Sequence, residues 1–182
     1  MLLVVSFKFV IYCSLFVIHS SKFIVGRGTE RIVVRAVVQR ILEAQVKVED
    51  KAVGRVGKGL LVYLSVGKGD TQADVEFIAE KIVNLRIFAD EAGKMNRSIL
   101  DVGGGILLVS NFTLHGDCRK GRRPSFDAAG EPGLAQLLYE KTAELIAKHG
   151  VPIEKGVFGA YMQVSSINDG PVTFLLDSGR AF

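Results

Sequence analysis

The feature that most constrains the fold is the stretch 166–173, which reads Ser-Ile-Asn-Asp-Gly-Pro-Val-Thr and separates two apolar, strand-like runs, Phe158–Val164 and Val172–Leu176. Asp-Gly between such runs is typical of a two-residue hairpin turn. Here Pro171 follows at once, and proline has no backbone N–H to donate and a fixed φ. A Gly-Pro bond also adopts the cis form more readily than other pairs do. Two interpretations stay open: a rigid turn, or a stiff backbone segment that presents carbonyl oxygens to a ligand.

Length and composition favour a globular protein of one domain. The chain has 182 residues, of which 48% are hydrophobic and 23% charged, as is ordinary for a folded domain that buries most of its apolar surface. Twenty glycines and four prolines predict many turns, and hence many strands. No Cys/His spacing is typical of a metal site, so neither a metal nor a cofactor is expected. Cys13 and Cys118 lie in unrelated contexts, which favours a reducing compartment over a disulfide framework.

The first 33 residues differ from the rest. They contain four basic side chains and one acidic side chain, whereas residues 34–182 are nearly neutral. A signal peptide would need a charged start and small residues at a cleavage site; this segment begins apolar and lacks such a site. Lys8 interrupts the run of about 20 apolar residues that a membrane helix needs. We therefore interpret 1–33 as an extension outside the working protein, which would begin near Val34, and 34–182 as a single domain with no expected membrane contact.

Hydrophobic periodicity predicts two main helices among several strands. A capping box formed by Thr71 and Asp74 precedes a helix whose apolar stripe contains Val75, Ile78, Ala79, Ile82 and Val83. A second helix is predicted from Gly133 to Lys148, with its leucines 134, 137, 138 and 145 on one face. Strands are predicted at 34–42, 46–49, 53–56, 60–66, 85–88, 106–114, 157–165 and 172–177. Strands at both ends, interrupted by two helices, predict an α+β fold with mostly antiparallel pairing.

Polar side chains follow the buried-type strand 106–109, in the order Ser110, Asn111, Phe112, Thr113, Leu114. Buried polar groups need hydrogen-bond partners, so these side chains either bond locally or face a pocket. A nucleophilic hydroxyl would also need a base within reach. On a strand, Thr113 and His115 would share a side and Ser110 would face away. However, His115 precedes Gly116 and is expected in a surface turn, so no catalytic triad is predicted.

A dense basic cluster follows, with Arg119, Lys120, Arg122 and Arg123 within five residues. Such a run is by default a solvated loop. It also offers the groups that bind phosphates, because the arginine guanidinium can hold a phosphate through two hydrogen bonds. Since the rest of residues 34–182 is nearly neutral, the cluster predicts a localised contact with a polyanion.

Several motifs together resemble the D-aminoacyl-tRNA deacylases. Residues 34–40, Val-Arg-Ala-Val-Val-Gln-Arg, resemble the start of that family, with Val34 at the position of the initiator methionine. Residues 110–113 are similar to its Ser-Gln-Phe-Thr motif, and 168–173 resemble its Asn-x-Gly-Pro-x-Thr motif. Residues 121–126 and 157–160 fit as well. The resemblance covers essentially all of 34–178 and departs at Asn111, where the family has glutamine.

The resemblance implies a barrel-like core, a cytoplasmic homodimer, and hydrolysis of the ester that joins a D-amino acid, or glycine, to the 3′ end of tRNA. It implies that Gly170–Pro171 is cis and enters the partner's active site, where its carbonyl oxygens would exclude an L side chain. The 3′ end of the tRNA would lie near the catalytic segment Ser110, Asn111, Phe112 and Thr113. Arg40, Asn168 and Thr173 are expected to support the Gly-Pro motif, and the basic cluster with Phe126 to bind tRNA.

The mechanism stays open at this point. The resemblance implies that the terminal ribose 2′-hydroxyl assists the reaction, while residues 110–113 position the ester and stabilise an oxyanion. One alternative makes Thr113 a covalent nucleophile. Another is a catalytically inactive RNA- or protein-binding dimer of the same fold, which the shorter amide of Asn111 would permit.

Overall fold

The computed structural model describes residues 33–181. The extension predicted at 1–33 therefore lies outside the described residues except for Val33. Within this part the chain forms eight strands, three α-helices and one 3₁₀ helix. In chain order these are β1 (Arg35–Val48), β2 (Lys51–Val56), β3 (Gly59–Ser65), α1 (Gln72–Asn84), β4 (Phe88–Ala89), β5 (Met95–Arg97), α2 (Ile99–Val102), β6 (Gly105–Ser110), the 3₁₀ helix (Phe112–His115), α3 (Pro132–Lys148), β7 (Ile153–Lys155) and β8 (Gln163–Asp177).

The long strand β1 organises the sheet. It pairs antiparallel with β3 and, further along the same edge, with β2, with Ile41 opposite Gly59 and Ala44 opposite Val56. These pairs share one register, which shifts by one residue after Val46. Strand β8 pairs antiparallel with β1 over nearly its whole length. Strands β3, β6 and β7 pair parallel to one another. The predicted α+β fold with mostly antiparallel pairing is confirmed.

The sheet curls into a nearly closed barrel. A Cβ on Gly54 in β2 would lie 2.8 Å from the carbonyl oxygen of Lys155 in β7, so this close approach requires a glycine. The barrel-like core that the resemblance implied is therefore present. The side chains that fill this interior are all buried: Ile41, Ala44, Val46, Val56, Leu61, Leu107 and Val109.

The two longer helices pack outside the barrel over a second apolar cluster. The predicted capping box of α1 is confirmed, because the Asp74 carboxylate accepts from both the backbone N–H and the hydroxyl of Thr71. The whole predicted stripe of α1 is buried. On α3 the prediction is partly wrong, since Leu134 and Leu137 are exposed. The buried face runs instead through Leu138, Tyr139, Thr142, Ala143 and Ile146, and is fixed by the Tyr139 hydroxyl, which donates to the carbonyl of Leu108.

Several strand predictions were wrong in extent. The runs 34–42 and 46–49 belong to one continuous strand, β1. The run 85–88 contributes only its last residue to β4, which pairs with β5 around the turn 90–94. The run 106–114 leaves the sheet after Ser110 and turns into the 3₁₀ helix. Only the last three residues of the run 157–165 are extended, and they are continuous with the run 172–177 in one strand, β8. The Asp-Gly pair makes no hairpin, because β1 offers a continuous edge for pairing on both sides of it. None of the helices within 33–181 has both the length and the apolar character needed to cross a membrane.

Candidate active site

A pocket of about 840 Å³ opens where β6 leaves the sheet. The segment Ser110–Thr113 forms one wall, and Phe126 also lines the pocket. Tyr63, Ala135, Phe158 and Met162 line the apolar remainder. The structure thus brings together the four residues predicted to be catalytic, and it adds an apolar recess from β3, α3 and the loop before β8 that sequence reasoning missed. Only Phe158–Val164, an apolar run next to predicted site residues, gave a signal for this recess.

The wall forms because Asn111 ends the strand and caps the following turn. Its backbone N–H still donates to the Leu64 carbonyl at 2.8 Å. Its side-chain Oδ1 then accepts from the backbone N–H of Thr113 at 3.3 Å and from the Thr113 hydroxyl at 2.5 Å. Asparagine side chains favour such local bonds to residues two positions ahead. The polar side chains therefore bond locally and also face a pocket, which unites the two alternatives considered for them.

His115 corrects a prediction. It is only 3% exposed rather than in a surface turn, because the 3₁₀ helix folds it under the pocket wall. Its Nε2 lies 2.9 Å from the carbonyl oxygen of Val33 and its Nδ1 lies 2.6 Å from the Ser65 hydroxyl. A carbonyl only accepts, so Nε2 carries the proton and Nδ1 accepts from Ser65. Burial lowers the pKa of His115. Both ring nitrogens are engaged away from Thr113, so the predicted shared side is also wrong.

The Gly170–Pro171 segment forms a bulge within β8, and its peptide bond is cis. Ile41 pairs with Asn168 and Gln39 with Thr173, so four residues of β8 bulge out opposite a single residue of β1. Asn168 closes the base of this bulge. Its Oδ1 accepts from the Val172 N–H at 2.7 Å, and its Nδ2 donates to the Thr173 hydroxyl at 3.2 Å. Gly170 and Pro171 are both exposed at the tip.

Arg40 anchors the bulge to the sheet and to the chain before β4. Its Nε lies 2.9 Å from the carboxylate of Asp169 and 3.2 Å from the Asp169 carbonyl oxygen, and its Nη1 donates to the Ile87 carbonyl at 2.5 Å. The Arg40 side chain is only 13% exposed. The expected supporting residues Arg40, Asn168 and Thr173 are therefore brought together around Gly170–Pro171. Within 33–181, however, neither residue of that pair is part of the pocket lining.

The basic cluster lies in the exposed loop between the 3₁₀ helix and α3. Arg119 makes two contacts of 2.9 Å with the Asp117 carboxylate, and these hold the pKa of Asp117 at about 2. Arg119 therefore braces the loop, while the side chains of Lys120, Arg122 and Arg123 are exposed. The loop is tied to the pocket by Phe126, whose ring meets that of Phe112 edge-on at 5.0 Å.

The described part of the chain, 33–181, holds no group of three or more His, Cys, Asp or Glu side chains arranged to bind a metal. Cys118, next to the basic cluster, is an exposed free thiol.

Comparison with known proteins gives consistent matches over the folded part. The sequence model of the family described as D-Tyr-tRNA(Tyr) deacylase matches residues 37–177. A protein of Thermosipho africanus (strain TCF52B) named D-aminoacyl-tRNA deacylase is 55% identical over 148 residues, which are 81% of this chain and 99% of that protein. One of the same name from Fervidobacterium nodosum is 57% identical over 148 residues, with the same coverage of both chains. The solved structure of a protein named "c-Myc DNA Unwinding Element Binding Protein" is 41% identical with a TM-score of 0.73, covering 78% of this chain and 97% of that one.

Proposed function

The chain belongs to the D-Tyr-tRNA(Tyr) deacylase family, and we propose that it hydrolyses the ester bond between a D-amino acid and the 3′ end of tRNA. The observation that carries this proposal is the pairing of two features within one domain. One is a large pocket whose wall is the segment Ser110–Thr113. The other is an exposed Gly170–Pro171 tip that is held rigidly but lies outside that pocket's lining. We further propose that the enzyme works in the cytoplasm.

The second part of the proposal is a homodimer in which each tip enters the partner's pocket. The tip is braced from two sides, by Asn168 across its base and by Arg40 on Asp169, so its carbonyl oxygens keep a fixed direction. Two such oxygens aimed at the α-carbon of the substrate leave room for hydrogen on that side. An L side chain would collide with them. A D-aminoacyl ester would be accepted, and a glycyl ester as well, because glycine has no side chain to exclude.

The proposed mechanism uses the substrate's own 2′-hydroxyl to assist hydrolysis. A nucleophilic Thr113 would need a base, but its hydroxyl donates to Asn111, whose amide oxygen is too weakly basic to take the proton. His115 is turned toward Ser65 and Val33. These contacts support assistance by the ribose and weigh against the covalent alternative. We propose that backbone N–H groups of the segment 110–113 stabilise the oxyanion, because the first N–H groups of a helical turn have no intrahelical acceptor. The N–H of Thr113 is excepted, since it donates to the Asn111 side chain. One donor aimed at an oxyanion contributes about 3–4 kcal/mol.

The tRNA itself would contact the loop that carries Lys120, Arg122 and Arg123. These exposed cations suit backbone phosphates of the acceptor end, whose charge dominates binding to nucleic acids. Arg119 contributes by bracing the loop against Asp117. Phe126 lies in the same loop and contacts Phe112 of the pocket wall, so it would place the phosphate-binding loop next to the pocket.

The decisive assay incubates the full chain with D-Tyr-tRNA and, separately, with L-Tyr-tRNA. Release of the D-amino acid alone supports the proposal. Binding without release of either amino acid would favour a nucleic-acid-binding dimer. Two observations motivate this second candidate: the departure at Asn111, and the 41% identical protein named for binding a DNA element.

A modified substrate separates the two catalytic alternatives. A tRNA ending in 2′-deoxyadenosine should resist hydrolysis, because it lacks the hydroxyl that assists the reaction. Cleavage of that substrate, lost in Thr113→Ala, would instead identify Thr113 as the nucleophile.

A further inference from the structure

The Asn111–Thr113 contact fixes the direction of a hydroxyl proton in the pocket wall. The atom of Asn111 that faces Thr113 accepts from a backbone N–H, and a backbone N–H only donates, so that atom is the amide oxygen. The Thr113 hydroxyl lies 2.5 Å from the same oxygen. Two oxygens at this distance share one proton, and the amide oxygen carries none. The proton of the Thr113 hydroxyl must therefore point at Asn111.

The consequence is a pocket wall with a defined hydrogen-bonding polarity. A hydroxyl has one proton to donate and two lone pairs that accept. Because the proton is committed to Asn111, the Thr113 oxygen can offer only lone pairs to a molecule in the pocket. Thr113 is exposed and lines that pocket, so these lone pairs are accessible.

We propose that Asn111 is a positioning residue, which holds the Thr113 hydroxyl as a hydrogen-bond acceptor for a proton donor of the substrate. This inference rests on the proposed function, since an aminoacyl-tRNA offers two such donors next to the scissile ester. They are the α-ammonium group of the amino acid and the ribose 2′-hydroxyl. Thr113 would then bind and orient the substrate without reacting.

The side-chain length of Asn111 matters to this arrangement. An asparagine oxygen reaches the N–H two residues ahead in a compact local turn. A glutamine, which stands at this position in the Ser-Gln-Phe-Thr motif, carries an extra methylene, so the same bond would close a ring that is larger by one atom. In this chain Asn111 makes the bond to Thr113 through the smaller ring.

A double-mutant cycle tests the positioning role. Asn111→Ala should lower kcat/KM about tenfold, which corresponds to one hydrogen bond at the upper end of its usual contribution. If Asn111 acts mainly through the hydroxyl, then Asn111→Ala should cost much less in a Thr113→Val background, where only its bond to the backbone N–H of residue 113 is left to lose. In a Thr113→Ser background, which keeps the hydroxyl, it should again cost about tenfold. The same tenfold loss in the valine background would overturn the proposal.

Controls keep the cycle interpretable. Asn84 is an exposed asparagine at the end of α1 that donates to the Glu80 carbonyl and does not line the pocket. Asn84→Ala should therefore leave kcat/KM unchanged. Thermal unfolding shows whether each variant folds. If Asn111→Ala does not fold, Asn111→Ser serves in the same cycle. Its hydroxyl supports the same turn more weakly than the asparagine does, so its loss should likewise be much smaller in the valine background than in the wild type.

Binding of unreactive analogues identifies the donor. The probes are the 3′-terminal adenosine joined to D-tyrosine by an amide, the same analogue without the 2′-hydroxyl, and one without the α-amino group. Thr113→Val should bind the complete analogue about tenfold more weakly than the wild type. That difference should vanish with whichever analogue lacks the donor. A difference that persists with both, or is absent with the complete analogue, would refute an acceptor role.

Failure of this inference is separable from failure of the proposed function. If the wild-type chain hydrolyses D-Tyr-tRNA but Asn111→Ala costs the same in the wild-type and Thr113→Val backgrounds, only the proposed role of Asn111 is refuted. A wild-type chain that binds the analogues but hydrolyses neither ester refutes the proposed function.

Discussion

Polar residues interrupt two strands of the sheet, and the two interruptions turn in different directions. At the end of β6, Asn111 accepts from the N–H of Thr113 and the chain curls into a 3₁₀ helix that walls a pocket. Within β8, Asn168 accepts from the N–H of Val172 and the chain rejoins the same ladder after a bulge. One asparagine side chain closes a short backbone ring in each case. The first ring borders a recess, and the second supports an exposed projection.

The difference comes from what anchors each segment. The β6 end is held from below by His115, which is buried against Ser65 and Val33. The β8 bulge is held from the side by Arg40, and β1 continues to pair beyond it. The buried His115 holds the segment after β6 against the body of the domain. The residues on both sides of the β8 bulge stay paired with β1, so the bulge projects away from the sheet. Recess and projection are the two shapes that a reciprocal dimer contact needs, which is why we propose that each serves the other.

The largest effect is expected at the projection. Gly170 has a φ of 141°, and a Cβ there would lie 2.5 Å from the Val172 side chain and 2.7 Å from its backbone nitrogen. Gly170→Ala should therefore displace the tip and lower kcat/KM on D-Tyr-tRNA about 100-fold, as misplacement of about 1 Å does.

The matched control for this variant is Gly133→Ala on α3, where a Cβ meets nothing within 4 Å and φ is not positive. It should retain full activity. If Gly170→Ala hydrolysed D-Tyr-tRNA at the wild-type rate, the Gly170–Pro171 projection would not be part of the active site.

A smaller effect is expected from the loop beside the recess. Replacing Arg122 or Arg123 with alanine should raise KM several-fold, because each variant removes about one charge-assisted hydrogen bond to phosphate. The slope of log KM against log salt should fall by about one for each phosphate that the variant no longer binds. Kinetics between low and moderate salt measure both quantities.

Lys51→Ala, an exposed lysine of the β1–β2 hairpin, is the control and should leave KM and its salt slope unchanged. An unchanged salt slope in the two arginine variants would separate the loop from tRNA binding.

The smallest effect concerns the anchor of the recess. Burial lowers the pKa of His115 below its unfolded value of about 6.5. The unfolded chain therefore binds more protons as pH falls, so this part of the stability is present above about pH 6.5 and is lost progressively below it. His115→Gln should flatten the dependence of the free energy of unfolding on pH below about pH 6.5.

Urea titrations at several pH values measure that dependence. A slope that survives His115→Gln would assign the pH dependence to other groups.

Sequence reasoning succeeded where the signal was local and failed where a neighbouring strand decided. The capping box of Thr71 and Asp74 involves residues three apart, and the stripe of α1 follows one helical period, so both could be predicted. The Asp-Gly pair at 169–170 predicts a hairpin locally, but its actual conformation depends on pairing with β1, which is distant in sequence. His115 was misplaced for the same reason, because its partners Ser65 and Val33 are also far away along the chain.

The sequence allowed the motifs of the candidate site to be predicted, but not the pocket or the apolar side chains that line it. Residues 110–113 and 168–173 were recognised because they carry unusual polar and Gly-Pro patterns. Tyr63 and Ala135 gave no signal, since an apolar side chain on a strand or helix looks the same whether it packs in the core or lines a pocket. Leu134 and Leu137 belong to the apolar face predicted for α3 but are exposed, and the same ambiguity explains why the sequence did not show this.

The most direct test of the reciprocal arrangement mixes two inactive variants. Gly170→Ala has an intact recess but a damaged projection, and Thr113→Trp has an intact projection but a filled recess. If each projection completes the partner's recess, mixed dimers contain one intact site, and random exchange should restore about a quarter of the wild-type deacylase activity. If recess and projection act within one protomer, the mixture will be no more active than the sum of its two components, and that result would contradict the account.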